Sequence, residues 1–119
     1  MLQPAPSVST GDATISVTVS TRGQTLFPEG SEIVITLADI SGGLQNPRPL
    51  VGDTIRLSQP DQGVRISLPA DRANLIACRK PNVCGLYVRV VKNGRVLLGN
   101  RSPVPYIMGQ KNITVIVST

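Results

Sequence analysis

Two cysteines are the first residues to test for chemistry. Cys78 and Cys84 bracket Arg79-Lys80-Pro81-Asn82-Val83. That gap does not fit a Cys-x-x-Cys redox pair, and two thiols cannot complete the four ligands of a structural zinc site. Spacing around a Pro-Asn turn suits a disulfide in an oxidising compartment, with two buried thiols as the alternative. The loop-entropy relation gives so short a bridge about 2.4 kcal/mol. Histidine is absent from the 119 residues, which removes imidazole ligands and the usual triads and dyads of nucleophilic catalysis. The seven carboxylates (Asp12, Glu29, Glu32, Asp39, Asp53, Asp61 and Asp71) are scattered over loops and strand ends, and no spacing forces two of them into an acid/base pair. No phosphate loop or nucleophile elbow occurs. The expectation is a protein that is not an enzyme, with no metal, cofactor or small-molecule substrate.

The remaining chemistry is charge. Twelve Lys and Arg, nine of them Arg, against seven Asp and Glu leave a net +5, which favours anionic partners. Nucleic acid is not expected among them. One Phe, two Tyr and no Trp make no stacking platform for bases, and no basic helix is apparent. Arg56, Arg65 and Arg89 are each flanked by apolar neighbours (Ile55 and Leu57, Val64 and Ile66, Val88 and Val90), so strand parity points each away from a core. They are expected to share one face and receive an acidic peptide or protein, unless they serve solubility alone.

The elements that would position these residues are strands. From Gly85 to Val91, Leu86, Val88 and Val90 alternate with Tyr87, Arg89 and Val91, then Asn93-Gly94 turns the chain and Val96 and Leu98 lead it back. Alternation with period two and a dipeptide that tolerates positive φ make this the clearest hairpin in the sequence. Ile15, Val17 and Val19 alternate with Ser and Thr, predicting a strand with one wet face. Ile33, Ile35 and Leu37 mark a second strand, also apolar on its far side at Val34 and therefore central. Leu26 and Phe27 between them are expected to plug one end of the core. Ser41 to Pro49 is the longest irregular stretch, read as a crossover between sheets or as a contact loop. Shorter strands follow at Val51–Leu57 and Val64–Leu68, a single helical turn within Pro69–Ala77, and a closing strand at Asn112–Ser118. Before the closing strand, Pro103 and Pro105 bar the stretch Arg101–Tyr106 from pairing at a sheet centre. The pattern predicts an all-β fold, an antiparallel β-sandwich or flattened barrel of about seven to eight short strands. Residues 13–119 form one domain, and residues 1–12, rich in Pro, Ser and Thr, are a flexible tether or a frayed end. No apolar run approaches the roughly 20 residues that would span a bilayer.

Three stretches, ISVTVSTRGQTLFPEGSEIVITLADIS (residues 15–41), GVRISLP (63–69) and YVRVVKNGRVLLGN (87–100), resemble a bacterial lipoprotein group. It comprises the secretin pilot proteins (pilotins) of type III secretion systems, of the YscW/ExsB type, and the related YbaY-like lipoproteins. The shared features are a strand, a loop with Pro and Gly, a strand ending near Asp-Ile-Ser and a late Gly-centred hairpin, spanning residues 13–118. The resemblance implies a lipoprotein on the periplasmic face of the outer membrane that binds the C-terminal segment of a secretin subunit and assists its targeting or assembly. The lipidated cysteine that such a protein carries at its start is not in this sequence, so the anchor would precede Met1. Compatible contact residues for a client are Leu44, Leu97, Tyr106, Ile107 and Met108, beside the three arginines. The group also implies an alternative, a YbaY-like envelope protein with a structural role and no secretin client; apart from the resemblance, a periplasmic inhibitor would present Gly42–Pro49 as its protruding loop.

Overall fold

The computed structural model describes residues 13–22 and 25–119; the expected 1–12 tether lies outside them. Eight strands are present among these residues: β1 (Ala13–Thr21), β2 (Glu32–Asp39), β3 (Arg48–Arg56), β4 (Gly63–Ala70), β5 (Cys84–Lys92), β6 (Arg95–Gly99), β7 (Val104–Tyr106) and β8 (Asn112–Val117). A single short helix, α1 (Arg72–Leu75), runs into a 3-10 turn at Ile76–Arg79. The strands make two sheets, β4-β1-β8 and β3-β2-β5-β6, with β7 continuing the β5 edge below β6. The result is a two-layer sandwich rather than a closed barrel. One pairing departs from the expected antiparallel pattern, since β8 runs parallel to β1.

The alternations read in the sequence build the interior. Ile15, Val17 and Val19 of β1 face Ile33, Ile35 and Leu37 of β2 across the core. Leu68, Leu86, Val88, Val90, Val115 and Val117 join them, all without exposed surface. Phe27 plugs the core as expected, while Leu26 stays half-exposed. Burial of so many aliphatic side chains, each contributing about 1.5–3 kcal/mol, drives the two layers together. Strand β2 is central, between β3 and β5.

Two expectations change in the sheet of β3, β2, β5 and β6. The 41–49 stretch is not a crossover. Strand β3 returns directly beside β2, so these residues close a hairpin, and Arg48 and Pro49 already belong to β3. Pro49 is tolerated there because β3 is an edge strand that needs no further donor on its outer side. The second change lies in β6. Asn93 and Gly94 adopt φ of 53° and 78° in the anticipated primed turn. A bulge then pairs Val91 with Val96 but Val90 with Leu98. The extra residue, Leu97, reverses the alternation. Leu98 is buried while Val96 is 56% exposed, so the two do not share a side as unbroken alternation along the returning strand would place them.

Candidate binding face

The two sheets differ on the sides that face away from the core. Across β4-β1-β8 the outward rows are Ser67–Ser16–Asn112 and Arg65–Thr18–Thr114, a wet Ser/Thr surface. Across the larger sheet the outward rows read Arg56–Glu32–Val91–Val96, Thr54–Val34–Arg89–Gly99, Gly52–Thr36–Tyr87 and Pro49–Ala38–Gly85–Pro105. Apolar and small residues dominate, and among the described residues neither a sheet nor a helix is stacked on them, although Pro103 and Ile40 cover Gly85 and Ala38 is 1% exposed. Val34, Tyr87 and Val91 are left half-buried.

Two depressions mark this face. One, of about 290 Å³, is floored by Thr36 and Ala38 and walled by Pro47 and Pro49 on the β3 side and by Tyr87 and Arg89 on the other. The next, of about 370 Å³, is lined by Val96, Leu97 and Arg101. Arg89 and Asn100 border both, so the two adjoin as a shallow trough whose far end reaches Leu98, Ser118 and Thr119 at the β6 edge, where the larger sheet meets the end of β8. From β3 to β6 it crosses three strand spacings, roughly 14 Å.

Local chemistry holds each wall. The Asp39 carboxylate accepts hydrogen bonds from the Ser41 hydroxyl (2.7 Å) and amide (2.9 Å) and from Arg48 Nη2 (2.9 Å). Arg48 sits between the two wall prolines, so this latch ties them to the end of β2. The Ser41 hydrogen bonds, assisted by Arg48, hold the Asp39 pKa below its ordinary value. On the opposite side, β6 and β7 leave a gap along β5 that Asn100 fills. Its Oδ1 accepts from the Val88 amide (2.7 Å), and its Nδ2 donates to the carbonyls of Leu86 (2.9 Å) and Ser102 (2.8 Å). The side chain thus stands in for a missing stretch of ladder. At Gly85, a Cβ would sit 2.5 Å from Pro103 Cβ, so only glycine lets the β7 approach pack flat against β5.

The sequence-derived candidates are distributed over the whole molecule. Arg89 lies in the trough, and Leu97 lines its far end as the bulged residue. Arg56 is on the same face at the opposite end of β3, across from Glu32. Arg65 is not with them: it projects from the outer side of the other sheet, where β4 pairs with Thr18 of β1. Parity fixed each arginine as outward but carried no information about which layer its strand joins. Leu44 is at the tip of the β2–β3 hairpin, 61% exposed. Tyr106, expected as a contact, is 3% exposed and belongs to the core, where burial raises its pKa against a backbone hydrogen bond at Gly109. Ile107 is exposed and Met108 half-buried. Met108, with Leu75, Tyr106 and Lys111, lines a separate concavity of about 410 Å³ at the end of the sandwich where Ala13 enters. Pro47, Pro49, Tyr87 and Asn100, which shape the trough, were not among the sequence candidates. The apolar outward side of β2 at Val34 was the available signal.

Cys78 and Cys84 form a disulfide, both fully buried. Among the described residues no cluster of three or more His, Cys, Asp or Glu could hold a metal ion. No helix among them is long and apolar enough to cross a membrane. A trough lined by Pro, Val, Leu and Tyr with fixed polar groups at its rim can hold an apolar segment.

No protein-family model matches the chain, and no curated protein matches it. Among solved structures, the fold is similar to that of an alternative pilotin from the type II secretion system of Vibrio cholerae. The TM-score is 0.66 at 12% sequence identity, over 90% of this chain and 97% of that one. A likeness at this identity establishes a shared pilotin-like fold.

Proposed function

We propose that this protein is a pilotin, a non-enzymatic envelope lipoprotein that binds a secretin subunit through the outer face of its larger sheet and assists that subunit's delivery to or assembly in the outer membrane. The carrying observation is the uncovered apolar trough on a sandwich that shares its fold with a pilotin. The stretches that resemble the YscW/ExsB type favour a type III system as its setting. The Cys78–Cys84 disulfide suits the periplasm, where such bonds persist, and a lipid anchor preceding Met1 would hold the domain at the outer membrane.

The shape of the trough argues for the form of the client segment. A peptide lying on the face of a sheet cannot extend the ladder, so its own backbone groups must be satisfied internally. An amphipathic helix meets that need, and roughly 14 Å accommodates two to three turns. The test is co-purification of this protein with the C-terminal segment of the secretin encoded in the same genome. A complex is expected, and Val96→Asp, which places a charge at an outward, 56% exposed position of the trough, should weaken it at least tenfold while the protein stays folded. Absence of a complex with that segment overturns the pilotin reading.

A further inference from the structure

The trough has a charge preference of its own. Of the residues that line its two depressions, Arg89 and Arg101 carry charged side chains, and none is Asp or Glu. Both arginines are exposed, and neither forms an ion pair with a carboxylate of the described residues. Of the nearest outward acids, Asp39 holds Arg48 at 2.9 Å, and Glu32 lies across from Arg56 at the far end of β3, outside the lining of both depressions. Arg89 stands in the middle of the trough, bordered by Val34 on one side and Gly99 on the other. Any apolar segment laid there would remove water from its guanidinium. An uncompensated charge is costly to desolvate, whereas a carboxylate supplied by the occupant would form a charge-assisted hydrogen bond in partly dry surroundings.

We infer that the trough selects an amphipathic segment whose apolar face is flanked by carboxylates, with Arg89 and Arg101 setting that preference. The inference rests on the docking role proposed above and names the chemistry of what docks. Lysine-bearing segments are disfavoured by the same two charges, a repulsive element as well as an attractive one.

The test uses three synthetic helical peptides of about 16 residues, roughly 24 Å long, with leucines on one face and two flanking positions occupied by Glu, Gln or Lys. Each is titrated into the isotope-labelled protein and followed by amide shifts. The Glu peptide is expected to shift Thr36, Tyr87, Arg89 and Leu97 and to bind about five- to tenfold more tightly than the Gln peptide. The Lys peptide should be weaker again, and the differences should shrink in about 1 M salt. In R89Q/R101Q the three peptides should bind alike. Equal binding of all three to the unmodified protein, or shifts confined to another surface, would overturn the inference. Because these peptides contain no secretin sequence, their discrimination stands or falls independently of whether a secretin segment co-purifies.

Discussion

At the scale of single residues, Asn100 has the largest structural task for a polar side chain. It satisfies the Val88 amide and the Leu86 carbonyl where β6 has ended and β7 has not begun. Asn100→Ala would leave both groups half-buried and unmatched, and urea unfolding should show a loss of about 1–3 kcal/mol. Asn100→Asp should cost more at neutral pH, because a carboxylate would then face the Leu86 and Ser102 carbonyls it cannot donate to. Equal stabilities of Asn100→Asp and the parent protein would remove this role. Asp39 governs the other wall. Its pKa is lowered in the folded state from 3.8, so its contribution is fully present above 3.8 and is lost as pH falls through the lower folded value. An acid titration followed by the Ser41 and Arg48 amide signals should therefore show a midpoint below 3.8. A midpoint above that value would mean that the latch does not form.

At the scale of elements, small deviations from regular strands set the face. The bulge at Leu97 turns Val96 outward and gives the trough its far end, a change of one residue that reverses every side chain beyond it. The flat junction of β5 with β7 depends on Gly85. Gly85→Ala would drive a Cβ into Pro103, and calorimetry should register a destabilisation of about 1–3 kcal/mol. An unchanged midpoint would show that the proline segment can yield at little cost. The hairpin between β2 and β3 matters for the same reason: the prolines that wall the trough are at the start of an edge strand, where loss of a donor is harmless.

At the scale of the whole molecule, the disulfide closes the connection between the two sheets. Chain leaving β4 passes through α1 and the 3-10 turn to Cys78, and Cys84 opens β5. The bridge therefore fixes the point at which the smaller sheet hands the chain to the larger. Reduction should lower stability by about 2 kcal/mol, or roughly 5–10 °C in Tm for a domain of this size, without abolishing the fold. Retention of the melting temperature under reducing conditions would show the bridge to be dispensable.

Much of the fold was legible in residue order. Alternation in Ala13–Thr21, Glu32–Asp39 and Cys84–Lys92 named the inward residues correctly, and Asn93-Gly94 named its turn, because both depend on neighbours within a few bonds. The same rule failed where pairing between distant strands intervened. Nothing near Val96 announces a bulge, and nothing in Arg56, Arg65 and Arg89 says that β3 and β5 share a sheet while β4 joins another. Val34 and Tyr87 looked like the outer side of an ordinary central strand. Only the assembled sheets reveal that this side has no covering layer, that Pro47, Pro49 and Asn100 frame it, and that Arg89 stands within it. Local sequence determined which side of each strand is apolar, since side-chain direction alternates with period two. Tertiary structure decided which of those sides remain in contact with solvent, because that depends on strand order and register, and these are settled by contacts far apart in the chain.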